Sequence, residues 1–541
     1  MEGNRPLAVK IRTAARQESI LGTLARLPVW SPRMSIPATG LSLPVVSPPS
    51  PQAVPRLRRP RATLLAALGL GVCAEVLFDG PALGLSFPLF ALLLLGALLA
   101  LGGREGWQRA RPNAWLLVPW LFFSGMVFVR ASPLLTSLNV LASGLLLLLL
   151  VHFWAAGRVE RLGLGDYVST VLGGAWQAMF LPPAVVRSEV ERIPLRGQLP
   201  KLLPVARGAL LSLPILILFT ALLSSADEVF SVAVDRGFSF VWNVFSVDTL
   251  ARGVFAAGSA FGVLGLLAHA LRRRREREAG VLEAAPAVGR LGFIESLTLL
   301  GAVDVLFLAF VSLQLAFMWG GARLPSGLTY SEYARRGFFE LLAVSVMTLG
   351  LSLVLERWTR LNGAGQVTAF RAACSAMVGL VLVLLASAVQ RMALYESAYG
   401  YTHLRVYTHV FMLALAGVLV WRVVTLWWRP ERFAMGAFAG ALVGLAALNV
   451  LNPDAFIARA NLARSTEGTS WDASYLAWSL SEDAAPEMAA HLAQVPDSVF
   501  SPELHGMFCR FPERDQGGWP AFHLARHRAA ALTPPGSCPE R

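Results

Sequence analysis

The chain has 541 residues, 55% of them hydrophobic and 15% charged, and a formal net charge of +13. Soluble domains carry roughly a quarter charged residues, so a mean hydropathy of +0.56 leaves too little polar surface for a water-soluble fold. These values exclude a soluble globular class. Placement of the arginines between apolar runs excludes nucleic acid as a partner.

Residues 1–60 come first, with nine prolines between Pro28 and Pro60, many arginines and no helical or strand periodicity. That composition reads as a disordered cytoplasmic arm. It lacks the compact apolar region of a cleavable signal peptide, and Met34 within it is a second candidate start.

Eleven apolar runs follow: 63–79, 82–101, 114–131, 134–155, 206–224, 250–271, 295–319, 337–355, 371–391, 405–427 and 433–450. A bilayer core of about 30 Å needs about 20 residues per helix, and only helices or closed barrels satisfy their backbone there. The fold class is therefore all-α, a polytopic transmembrane helix bundle of about 11 spans over 61–451. Asp79-Gly80-Pro81 separates the first two runs as a turn. Residues 166–186 are apolar but carry Pro182-Pro183 and two glycines, which reads as a cytoplasmic-surface or re-entrant segment.

Arginines gather in alternate loops, at Arg56–Arg61, Arg104–Arg111, Arg158–Lys201, Arg272–Arg277, Arg357–Arg360 and Arg429–Arg432. By the positive-inside rule the N-terminus is cytoplasmic. An odd number of spans then puts 452–541 outside the inner membrane. That tail holds eleven acidic residues against seven arginines. The basic loops suit anionic membrane lipid as a partner.

Charged groups inside spans are costly, about 2.5–3.5 kcal/mol at a helix centre. Asp304 lies mid-span and reads either as a proton or ion relay or as a structural acid. On the predicted outer side, Tyr333, Arg335, Arg336 and Glu340 precede one span, and Glu396, His403, Arg405 and His409 surround the next outer turn. They read as a substrate-facing cluster or as an aromatic belt with ion pairs. Cys509 and Cys538 in the tail are a possible disulfide, with two unpaired thiols as the alternative. His523 and His527 stand four apart, but no matched carboxylate accompanies them, so no metal is expected. No cofactor motif occurs.

Asn452-Pro453-Asp454 ends the last apolar run, because Pro453 lacks a donor and pushes its predecessor out of helix. Residues 471–493 read as a small helical hairpin, with Tyr475, Leu476 and Leu480 on one stripe and Met488 on another. LNPDAFIARANLAR, WDASYLAWSLSEDAAPEM, LTYSEYARRGFFELL and YGYTHLRVYTHVF resemble the blocks of a bacterial multi-pass membrane family, domain of unknown function 4173. The resemblance implies a membrane helix bundle and leaves the activity open. It singles out Asn452, Asp454, Arg459, Asn461, Tyr333, Arg335, Gly337, Glu340, Tyr399, Gly400 and Arg405. GGWPAFHLARHRA resembles the closing segment, with His523 in place of an asparagine. The leading expectation is a non-enzymatic protein of transport or sensing at the outer face. The alternatives are a membrane enzyme using Glu340, Glu396, His403 or His409 on a lipid-linked substrate, and a scaffold recruiting a partner.

Overall fold

Apolar stretches that cannot hydrogen-bond to lipid close their bonds within one helix. The computed structural model has that character: among the described residues, regular structure is α or 3-10 helix apart from one isolated bridge, Leu291 to Thr359. The structure describes residues 57–190 except 81 and 156, scattered positions between 204 and 236, and 246–272, 291–319, 338–466, 472–492, 507–509, 511 and 518–532. The arm up to residue 56 lies outside them; of the predicted span 206–224, eleven scattered positions are described, all of them helical.

Six helices form a first bundle: α1 (Pro60–Phe78), α2 (Ser86–Ala110), α3 (Leu117–Val129), α4 (Pro133–Ala155), α5 (Leu164–Val190) and α6 (Val247–Leu271). Their shared core includes Leu98, Trp120, Leu146, Trp154 and Leu267. A second bundle holds α7 (Phe293–Trp319), α8 (Phe338–Trp358), α9 (Ala364–Tyr399) and α10 (His403–Trp428). Between them stands α11 (Phe433–Leu451), which packs Phe438, Leu442 and Leu445 on the first core and runs beside α10.

Ten of the eleven expected spans coincide with these helices. Nine stretches among the described residues are long and apolar enough to cross a membrane, with 86–129 counted once because a 3-10 turn, Arg111–Leu116, links α2 to α3. That stretch is a hairpin. Leu85 and Arg130, at its two ends, both touch the C-terminal tail, through Phe522 and Asp483 respectively. Gly103, at φ 57° within α2, supplies a left-handed break that a side chain disfavours.

The two ends of the molecule differ in charge. One end carries Arg58, Arg61, Arg104, Arg109, Arg158, Arg272, Arg357, Arg429 and Arg432, and is here the basic end. Arg58–Glu105 and Arg61–Glu189 tie α1 to α2 and α5 there. The tail covers the other end. α4 finishes at the basic end, whereas α6 begins at the tail end with Arg252 paired to Glu75 and Asp79.

α5 runs unbroken through Pro182 and Pro183, and it is not among the stretches long and apolar enough to cross a membrane. Its polar contacts at Tyr167, Gln177 and Glu189 are all with basic-end groups, namely Val159, Arg272 and Arg61. It crosses α6 backbone to backbone: a Cβ on Gly265 meets the Ala178 carbonyl oxygen at 1.8 Å. Gly265→Ala is expected to cost about 1–3 kcal/mol by overpacking, read as earlier unfolding in detergent. Gly262→Ala, with open space around the added carbon, is the control that leaves the midpoint in place.

The tail is a small helical layer of α12 (Pro453–Thr466), α13 (Ala473–Ser479), a 3-10 turn Glu482–Ala484, α14 (Ala485–Leu492), a 3-10 turn Trp519–Ala521 and α15 (Leu524–Ala531). The hairpin expected over 471–493 corresponds to α13 and α14. Ile457, Leu476, Met488, Phe508 and Ala529 make its core, together with Val406 of α10. Asn452, at φ 52°, takes the left-handed turn that ends α11, and Pro453 starts α12 at once.

Candidate functional site

Two carboxylates are buried where the tail meets the bundles, Asp454 at 0% and Asp483 at 6% exposure. A buried charge survives only when paired and hydrogen-bonded, and both are. Asp454, in the first turn of α12, binds His403 Nε2 of α10 at 2.5 Å through Oδ1. Its Oδ2 accepts from the Ser481 amide at 3.0 Å and from the Ser481 hydroxyl. Asp483 Oδ2 accepts from the amides of Ala131 at 2.7 Å and Ser132 at 3.1 Å, in the α3–α4 turn. Its Oδ1 lies 3.5 Å from the Arg130 guanidinium. Ser481 sits between the two acids, 3.5 Å from Asp483 Oδ2.

One short segment, Ser481–Asp483, thus joins α12 and, through Asp454, the second bundle to the first bundle. The tail is a clasp across both. Tyr475 Oη accepts the His403 amide at 2.8 Å and lies 3.4 Å from His403 Nδ1. His523 Nε2 donates to the Arg130 carbonyl at 3.2 Å. Arg130 Nε also caps α11 at the Asn449 carbonyl, 2.8 Å. Beneath, Asn139 of α4 and Asn449 of α11 exchange two amide bonds of 2.8 Å.

Burial raises the Asp483 carboxyl to about 6, against the opposing pull of Arg130. Burial also raises the Tyr475 hydroxyl, and burial, reinforced by Arg526, lowers His523.

A second set of contacts fixes the α9–α10 turn. Asn461 Nδ2 donates to the Tyr401 carbonyl and its Oδ1 accepts the Tyr401 amide, both at 2.8 Å. Arg464 donates to the carbonyls of Glu396 and Ser397, and Arg405 to those of Tyr399 and Gly400. Two guanidiniums therefore neutralise the negative end of α9. Gly400, at φ 77°, makes the turn.

Of the residues named from sequence, His403, Asp454, Asn452 and Asn461 meet in or beside this clasp. Arg405 caps α9, and Glu396 pairs with His409 Nδ1 at 3.2 Å one layer below. Arg459 pairs with Glu487 on the exposed side, drawing that carboxyl down. Glu340 is exposed. Tyr333, Arg335 and Arg336 lie outside the described residues, so the outer cluster expected around them is described only in its 396–409 half. Cys509 is disulfide-bonded; Cys538 lies outside the described residues. His523 and His527 do not converge: the first is buried against Arg130, the second lies tilted against Phe522. Among the described residues no group of three or more His, Cys, Asp or Glu side chains fits a metal.

Asp304 stands apart. Its Oδ1 is buried without a hydrogen-bond partner, at the level of Cys374 in α9. An apolar layer of Val311, Leu341, Leu384, Leu385, Met412 and Leu415 separates it from the clasp. On the basic side, sequence reasoning missed Arg422, 1% exposed. Its Nη2 reaches Glu356 at 2.7 Å and the Ser352 carbonyl at 3.1 Å, and its Nε reaches the Ser352 hydroxyl at 3.1 Å. Arg130, Ser481 and Asp483 were missed as well. The available signals were an arginine interrupting the apolar run VLVWRVVTLWW and a lone arginine closing α3.

Comparison with known proteins gives one match. A family model described as Domain of unknown function (DUF4153) matches residues 117–491, a different number from the 4173 family that the motifs resemble. No curated protein and no solved structure matches. The matched stretch runs from α3 to α14 and holds Arg130, His403, Asp454, Ser481 and Asp483, and because it covers well over half of the sequence, the chain belongs to the DUF4153 family.

Proposed function

We propose that this chain is an inner-membrane protein, with its N-terminus in the cytoplasm and its tail outside, that responds to conditions or to a ligand at the outer face through the clasp. The observation that carries this reading is the Asp454–Ser481–Asp483 link, which ties an extramembrane segment to both bundles at once. Arginines concentrated at the basic end support the orientation, and they suit anionic headgroups as contacts. A disulfide at Cys509 suits an oxidising compartment.

Two other readings are less favoured. Transport through Asp304 needs a polar path, and the apolar layer above it opposes one. An enzyme using Glu340, Glu396, His403 and His409 needs these groups to converge. His403 and Glu396 are instead closed in separate pairs, and Glu340 faces outward.

The test is genetic and structural together. A Ser481→Ala, Asp483→Asn chain, present in the membrane at the normal level, is expected to reproduce the conditional growth defects of a deletion. Full complementation by that variant under every condition where the deletion fails contradicts the reading.

A further inference from the structure

Arg130 links two titratable groups of the clasp. Its guanidinium faces Asp483 and its carbonyl accepts from His523 Nε2, so both groups report on the same α3–α4 turn. We infer that Asp483 and His523 are opposed proton sensors whose effects offset one another, keeping the tail docked as the pH outside changes. This rests on the reading of the tail as an extracytoplasmic clasp.

Asp483 faces Arg130 from the α3–α4 turn, Asp454 from α12 and Tyr407 from α10, with His403 and Tyr475 grouped around Asp454 behind them. His523 faces the Arg130 carbonyl, Arg526 of α15 and Glu482. In the docked state its carboxyl sits at about 6, raised by burial from 3.8. A raised acid contributes docking strength that is present at low pH and lost as the pH climbs through about 6. His523 is the reverse. Burial lowers it below 6.5 when docked, so its contribution is present above 6.5 and lost as the pH falls. Acidification thus strengthens docking through Asp483 and weakens it through His523 over overlapping ranges.

The docked population is measured by electron-spin distance measurements in lipid nanodiscs on the full chain. Labels go on Ser137→Cys and Trp478→Cys, both exposed, with Cys73→Ser and Cys374→Ser and the Cys509 disulfide kept. With His523→Gln, whose amide nitrogen takes the place of Nε2 and still donates to the Arg130 carbonyl, docking is expected to tighten about tenfold from roughly pH 8 to roughly pH 5. With Asp483→Asn, which keeps an oxygen for the Ala131 and Ser132 amides, docking is expected to weaken over the same range. The parent changes less than either. Parallel profiles for the two variants, or a parent as steep as either, overturn the inference while leaving the clasp intact. A parent with no docked population at any pH instead overturns the clasp itself.

Discussion

Asp454→Ala is expected to free the tail from α10. The change leaves the Ser481 amide, the Ser481 hydroxyl and the His403 ring, all at a buried junction, without their shared acceptor. Removing one partner of a buried charge network costs roughly 3–5 kcal/mol, a large share of the stability that holds so small a layer in place. Hydrogen exchange across 473–492 should rise by orders of magnitude, while exchange in α2 and α4 stays slow. Asp454→Asn keeps the shape and one acceptor, so its effect should be smaller. Arg459→Ala, which removes an exposed pair with Glu487, should leave exchange there close to the parent's, because solvent screens such a pair. Equal effects from Asp454→Ala and Arg459→Ala would argue that Asp454 is a surface residue in the working protein.

The second large effect belongs to Arg422. Its guanidinium ties α10 to α8, holding Glu356 and the hydroxyl and carbonyl oxygens of Ser352, with Phe433 of α11 stacked at 5.5 Å. Arg422→Ala strands Glu356 beside an apolar core that includes Leu355, Phe370 and Leu426, and a loss of about 3–5 kcal/mol is expected. Arg422→Met with Glu356→Gln removes both charges and keeps the volume, and such replacements are often neutral or stabilising. Thermal unfolding in detergent should therefore drop sharply for the single variant and recover in the double. A double variant as unstable as the single would mean that the guanidinium acts through Ser352 or Phe433 alone.

The helices were legible because lipid leaves the chain one solution. At ten of the eleven apolar runs a helix stands among the described residues, and the arginines sort its two ends. α5 shows the limit of that reading: the sequence makes 166–186 a surface or re-entrant segment without giving its shape, and the structure makes it one helix that continues through Pro182 and Pro183 against α6. The clasp was legible only in pieces. His403, Asp454 and Asn461 were named, but His403 and Asp454 are 51 positions apart and Arg130 and Asp483 meet from opposite ends of the matched domain. Periodicity reports which face of one helix is apolar and carries no information on which helix ends meet. Arg422 was missed for a different reason. The cost argument that flagged Asp304 applies equally to an arginine six residues before the end of α10, but an arginine so placed reads as one that reaches for headgroups, when it is turned inward to Glu356.

The central claim is that the tail docks on the first bundle at the outer face, and one cysteine pair tests both parts at once. A Cβ on Gly80, in the α1–α2 turn, lies 3.2 Å from the Ala521 Cβ in the tail, close to the separation that a disulfide bridges. In intact cells Gly80→Cys with Ala521→Cys should form that disulfide without added oxidant, giving a reducible linkage on peptide mapping. A pair that stays reduced in cells and resists oxidation in isolated membranes would contradict the account.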